Sequence, residues 1–192
     1  MAPLQTFEAR KGWPALRSRL AVPESDRRLM DDAVDFAVRW HADQARPAGE
    51  PYVEHLLEVV TVLVDALDVT DIDVLRTAVL HDVVEDTACE LGEVRQRFGD
   101  RVAELVGWVT KDNDRAAYLE RLKEAPADAL LVKLADRLSN VQRLNTHPRP
   151  EKQRSYYAET LRSIVPLAQG HPWFREWYSH WQNEFKHLAQ TG

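Results

Sequence analysis

Apolar residues recur along this chain at spacings of three and four, the helical period rather than the alternation of strands, and glycine is scarce. The pattern predicts an all-α bundle. An entry helix is expected over residues 7–20; Pro23 and Ser25 then punctuate, with Ser25 as the N-cap of a long helix to about Asp43. The segment ARPAGEPY, residues 45–52, reads as a loop. Two apolar-rich helices follow over residues 52–67 and 71–85, the second opened by Thr70 or Asp71, and Gly99 ends another short helix. Residues 101–110 and 115–124 carry weaker helical patterns. Pro126 breaks the chain before ALLVKLADRLSNVQRL, residues 129–144, which has the apolar content of a core helix. A loop around Pro148 and Pro150 leads to helices over residues 152–168 and 173–188. No internal repeat or low-complexity segment interrupts this order.

With 192 residues, 44% of them hydrophobic and 29% charged, the chain suits one packed domain spanning residues 1–192. The formal net charge of −6 opposes nucleic-acid binding as the main role, so an anionic substrate must be held by local cations or a metal. Cys89 is the lone cysteine, which removes any intramolecular disulfide and points to the cytoplasm. No stretch approaches the roughly 20 apolar residues of a membrane span, and none has signal-peptide character, so neither membrane insertion nor export is expected.

Chemistry concentrates in two places. The run AVLHDVVEDT, residues 78–87, sets His81, Asp82, Glu85 and Asp86 at the end of an apolar helix, where buried charges must be paired or bind a metal. A solvated helix end is the plain alternative, and a lone His-Asp dipeptide would not displace it. The second place is the core helix, where Lys133, Asp136, Arg137 and Asn140 fall within an arc of roughly 100° opposite Leu131, Leu134, Ala135 and Leu138. An internal salt bridge from Asp136 to Lys133 or Arg137 accounts for part of that stripe but not for Asn140. His55 stands among apolar neighbours in PYVEHLLEVV, residues 51–60. Alone it reads as a core histidine; with His81, Asp82 and Asp136 it completes a mixed nitrogen and oxygen set suited to manganese, iron or a similar ion.

These elements resemble the hydrolase domain of the RelA/SpoT family. His41, Gln44 and Arg46, then GEPY (49–52) with His55, HDVVEDT (81–87), Phe98-Gly99, Val109-Thr110-Lys111 and VKLADRLSN (132–140) occur in the order seen there, most strongly over residues 30–161. The resemblance extends to the small stand-alone alarmone hydrolases of that family. It implies one Mn²⁺ ion held by His55, His81, Asp82 and Asp136, with Glu85 and Asp86 acting on the attacking water. It further implies that Arg46 and Asn140 contact the nucleotide, with Lys111 and Lys133 as additional substrate contacts. The implied reaction removes pyrophosphate from the 3′ position of (p)ppGpp, in a cytoplasmic enzyme that is possible as a homo-oligomer. A synthetase activity is not expected, because the residues after Leu161 are too few for the second catalytic domain of the long family members. The alternatives are an HD phosphohydrolase for another nucleotide, such as an adenosine alarmone or NADPH, and a non-catalytic nucleotide-binding module. His41 fits a supporting position near the site rather than a ligand.

Five positions depart from the family pattern: Pro47 after Arg46, Trp108 before Val109, Ser139 for a common His, and Gln142-Arg143 for a common Arg-Thr. None is expected to touch the metal ligands, and Pro47, Gln142 and Arg143 are expected to soften base discrimination. The aromatic series Trp173, Phe174, Trp177, Trp181 and Phe185 reads as core or subunit contact, and His147, His171, His180 and His187 receive no role.

Overall fold

A computed structural model describes residues 3–9, 11–111 and 113–189. Among the described residues regular structure is helical, apart from an isolated antiparallel bridge between Ala45 and Pro51 that pins the loop before the third helix. The helices are α1 (Gly12–Arg17), α2 (Glu24–Trp40), α3 (Tyr52–Leu67), α4 (Ile72–Leu80), α5 (Val83–Asp86), α6 (Leu91–Phe98), α7 (Asp100–Val109), α8 (Arg115–Arg121), α9 (Ala127–Val141), α10 (Pro150–Glu159), α11 (Val165–Ala168) and α12 (Pro172–Glu184). Helix α3 lies along α9 at the centre, with α4 against both, α2 outside α4, and α6 and α7 closing one side. Apart from Tyr118 of α8, the buried apolar residues of these helices form one cluster. No described helix is long and apolar enough to cross a membrane.

Local chemistry explains most of the boundaries. Asp71 caps α4 by accepting the Asp73 and Val74 amides at 3.0 and 3.3 Å, which satisfies two otherwise orphaned donors. Ser25 is not the cap of α2: Pro23 takes that position, and Glu24 and Asp26 supply negative charge to the first turn instead. The entry helix is shorter than the pattern suggests, six residues from Gly12, because Gly12 itself has φ +70° and Pro14 sits just inside the first turn; Arg10, within the expected span, lies outside the described residues. The expected helix over residues 152–168 is continuous in outline but passes through a π-helical turn, Thr160–Ile164, between α10 and α11.

The largest difference concerns residues 71–85, which the apolar pattern joins into one helix. Helix α4 stops at Leu80 and α5 restarts at Val83. His81 Nδ1 lies 2.9 Å from the Ala78 carbonyl oxygen, the acceptor that the Asp82 amide would use in an uninterrupted helix. The ring therefore breaks the helix and turns His81 and Asp82 inward together.

The C-terminal aromatics are core, as their spacing suggests. Tyr178 donates its hydroxyl to the Leu134 carbonyl at 2.9 Å and Trp181 its indole N–H to the Val141 carbonyl at 2.9 Å, so α12 is bonded along the back of α9. Phe174, Tyr178 and Trp181 are fully buried there. Truncating any of them to alanine costs about 3–5 kcal/mol in a typical core. The side of α9 facing away from α12 is thereby held rigidly toward α3 and α4.

Gly99 joins α6 to α7 with φ +93° and ψ 169°, a conformation essentially confined to glycine. A Cβ there meets no atom within 4 Å, so the cost of a side chain is backbone strain alone. Gly99→Ala is expected to lower the unfolding free energy by about 1–3 kcal/mol. Urea unfolding measures it; an unchanged midpoint would show that the turn relaxes without strain.

Candidate metal centre

Three helices bring one or two donors each to a common point. His55 comes from the first turn of α3, His81 and Asp82 from the break after α4, and Asp136 from the middle of α9. Their ligand-capable atoms all lie within 4.8 Å of one another, and all four residues are buried. His55 Nε2 faces His81 Nε2 at 3.3 Å; Asp82 Oδ2 lies 3.4 and 3.0 Å from these two nitrogens, and Asp136 Oδ1 3.3 and 3.5 Å.

The outer nitrogens set the tautomers. His81 Nδ1 donates to the Ala78 carbonyl, which leaves its Nε2 with a lone pair directed inward. The Ser139 hydroxyl donates to Glu58 Oε2 at 2.7 Å, so its oxygen accepts from His55 Nδ1 at 2.9 Å and His55 Nε2 also carries a lone pair. Two lone pairs at 3.3 Å repel unless a proton or cation stands between them.

The electrostatic field runs in the same direction. Burial by itself lowers the His81 pKa, but the carboxylates of Asp82 and Asp136 overcome it and push it up to about 10. Burial likewise raises both carboxyls, yet His81 and His55 hold Asp82, and Lys133 with the two imidazoles holds Asp136, well below the usual carboxylate range. The cluster thus draws one positive charge to its centre, and a divalent cation meets the same field with both imidazoles as neutral donors. Two nitrogens and two carboxylate oxygens suit a mixed-ligand transition ion, so the residues present fit a metal.

Each donor is braced. Asp136 Oδ1 accepts from Asn140 Nδ2 at 2.7 Å, and Oδ2 accepts from Lys133 Nζ at 2.7 Å. The salt bridge weighed from sequence therefore exists alongside the donor role rather than replacing it. Burial lowers the Lys133 pKa but Asp136 more than restores it, so the ammonium stays charged. Tyr52 places its hydroxyl 2.5 Å from Asp82 Oδ2 and 2.8 Å from Asp86 Oδ2. Burial, then Asp82 and Asp86, raise the phenol pKa, so its single proton stays to serve one of these carboxylates at a time. His41 stacks on Tyr52 with ring centroids 4.8 Å apart, and burial lowers its pKa. It hydrogen-bonds Gln44 through Nδ1, so it supports the site without being among the clustered donors.

Glu85 and Asp86 stand on different sides. Asp86 is linked to Asp82 through Tyr52, whereas Glu85 pairs with Lys111, Oε1 to Nζ at 2.5 Å, and accepts the Lys111 amide at 3.1 Å. Lys111 and Lys133 line a cavity of about 270 Å³ together with Arg115, Arg137 and Lys152; Asp136 and Glu159 are its acidic members. Burial raises the Glu159 carboxyl, but Arg115 and Arg137 hold it down at about 2. In a chain of net charge −6, this cleft beside the donor cluster gathers five cations against two acids, so its lining carries a local excess of positive charge. A second cleft, lined by Arg46, Pro47, Asn140, Arg143 and His147 among others, meets the first at Asn140.

Arg46 reaches this second cleft with its guanidinium docked on Glu58 Oε2 at 2.8 Å and on the Ser139 carbonyl at 3.2 Å. The sequence pattern singled out Arg137 in the polar stripe of α9, but neither Arg115 nor Lys152 as part of a cleft, nor Tyr52 and Glu58 as supports. Glu58 was legible in principle, since a lone acid inside the apolar run LLEVV must find buried partners. One expectation is corrected: Ser139 does touch a donor, through His55 Nδ1. Gln142 is also reassigned. It is buried and bonds the Phe7 amide at 2.7 Å and carbonyl at 3.0 Å, which leaves it unable to read a base.

Known proteins resemble this chain in sequence and in fold. A family model for the HD domain matches residues 33–172. The human guanosine-3′,5′-bis(diphosphate) 3′-pyrophosphohydrolase MESH1 is 42% identical over 122 residues, 59% of this chain and 68% of that protein. The bifunctional (p)ppGpp synthase/hydrolase SpoT of Escherichia coli is 35% identical over 161 residues, 77% of this chain but 22% of its own length, so the chain spans about a fifth of that longer relative. A solved metazoan ortholog of SpoT, described as hydrolysing ppGpp, superposes with a TM-score of 0.76 at 28% identity, covering 84% of this chain and 96% of the other.

Proposed function

The chain belongs to the HD-domain family, and from that premise we propose that it is a manganese-dependent hydrolase that removes the 3′-pyrophosphate of (p)ppGpp to leave GDP or GTP. The observation that carries this reading is the buried cluster of His55, His81, Asp82 and Asp136, whose donor atoms converge on one point beside a cationic cleft. The names of the relatives supply the substrate class.

A divalent cation in that cluster supplies Lewis-acid polarisation of a phosphoryl oxygen and lowers the pKa of water. The chain's own residues do the rest. Lys111, Arg115, Lys133, Arg137 and Lys152 receive the oxygens of the departing pyrophosphate, and Arg46 and Asn140 hold the nucleoside side in the adjoining cleft. Asp86, held by Tyr52, and Glu85, held by Lys111, align the attacking water and accept its proton. Water supplies the new oxygen of pyrophosphate, and the 3′-oxygen leaves with a proton.

The test is incubation of the metal-loaded protein with ppGpp and separation of products by anion exchange. Equimolar GDP and pyrophosphate, lost on chelation and restored by Mn²⁺, are expected. Stoichiometric cation binding without turnover of ppGpp would instead make the chain a binding module.

Base preference is expected to be softer than in a site that reads guanine with buried side-chain donors. Pro47 places no donor in the second cleft, Arg143 is drawn to Glu58, and Gln142 is committed to Phe7. Arg46 offers stacking, which discriminates little between purines. Comparing kcat/KM for ppGpp and ppApp at one Mn²⁺ concentration decides it; a guanine preference of several hundredfold contradicts the expectation.

A further inference from the structure

We infer that Glu58 is a positioning residue of the metal centre, acting on His55 through the hydroxyl of Ser139 and on Arg46 directly. The inference rests on the metal reading proposed above and extends it to two residues that touch no reacting atom. Helices α3 and α9 are built alike here: each carries a donor, His55 or Asp136, and three residues later, on the same face, a support, Glu58 or Ser139. Glu58 Oε2 accepts from Ser139 Oγ at 2.7 Å, from Arg46 at 2.8 Å and from Gln142 Nε2 at 3.2 Å, while Oε1 accepts from Arg143.

The consequence follows from proton counting. A serine hydroxyl has one proton, and here Glu58 takes it, so toward His55 the Ser139 oxygen only accepts. The His55 proton is thereby fixed on Nδ1 and its lone pair on Nε2, the nitrogen that faces His81. Were Glu58 absent, the hydroxyl could turn and donate to Nδ1, moving the imidazole proton to Nε2 and blocking a donor. The same oxygen atom also holds the Arg46 guanidinium, so the orientation of the metal donor and the seating of the cleft arginine share one anchor. A purely structural role for Glu58 would concern Arg143 and Gln142, which tie the Phe7 segment to α9 and do not reach His55.

Ser139→Ala separates the two roles, because it cuts the link to His55 and leaves Glu58 with Arg46, Arg143 and Gln142. Mn²⁺ titration of the metal-stripped full chain by calorimetry is expected to show affinity about 10–100-fold weaker than wild type, the usual cost of losing a partner behind a metal-ligating histidine. Ser139→Thr, which keeps the hydroxyl, is expected to recover most of it. Glu58→Gln is expected to weaken Mn²⁺ binding and raise KM together. Long-range ¹H–¹⁵N spectra of the stripped protein should place the His55 proton on Nδ1 in wild type and on a mixture of nitrogens in Ser139→Ala. Should Ser139→Ala lose its native circular dichroism, Ser139→Cys preserves the volume and is measured in its place. Wild-type Mn²⁺ affinity and an unchanged His55 tautomer in the folded Ser139 variant overturn the inference. A wild-type chain that binds no divalent cation overturns the metal reading itself, a distinct result.

Discussion

Replacing Asp136 with alanine is expected to abolish cation retention and hydrolysis together and to lower the unfolding free energy by about 3–5 kcal/mol. Three groups depend on this carboxylate. It is one of the four clustered donors; it accepts from Asn140; and it is the anionic partner of Lys133, whose side chain is only 3% exposed. Removing it leaves a buried ammonium beside Arg137 with no carboxylate to compensate it, and an uncompensated buried charge is among the costliest single changes in a core. Loss of activity could then reflect loss of fold, so the double variant Lys133→Met/Asp136→Ala is the informative companion. It removes the stranded charge and is expected to regain stability while still binding no cation. Metal content after dialysis and urea unfolding are the two measurements. Full occupancy with normal turnover in Asp136→Ala would place the centre elsewhere.

Glu85→Gln and Asp86→Asn are expected to retain the cation and to slow turnover by about 10²–10⁴-fold, the range of a general acid-base group. Neither belongs to the donor cluster, so occupancy should not change. Their surroundings give the two variants different side effects. Asp86→Asn weakens the acceptor that shares the Tyr52 hydroxyl with Asp82, which commits the phenol to Asp82 alone. Glu85→Gln releases Lys111, whose ammonium then adds uncompensated charge to the cationic cleft; a lower KM for the anionic substrate is expected beside the lower kcat. Near-normal rates in both variants would remove these carboxylates from the mechanism, and a loss of bound cation would reassign them as donors.

The helical period of the apolar residues was enough to predict an all-α fold, and it located α3 to the residue because Pro51 and the polar stretch after Leu67 bound a run with one strong apolar face. The donor set was legible for a related reason: His55, His81 and Asp136 are polar groups inside apolar helices, and such groups need a partner wherever the chain folds. Periodicity could not show the break between Leu80 and Val83. An apolar pattern records which face a residue would occupy in a helix, and it is blind to an imidazole that takes the carbonyl the next turn requires. Nor could it show that Ser139 supports His55, that Gln142 is spent on Phe7, or that cations from α8, α9 and α10 gather in one cleft. Those relations join residues far apart in sequence, 84 positions for Ser139 and His55 and 135 for Gln142 and Phe7. Identity and spacing decide what a residue can donate or accept within a few helical turns; only the packing of α3, α4 and α9 decides which donors meet, because hydrogen bonds and ligand contacts act over about 3 Å.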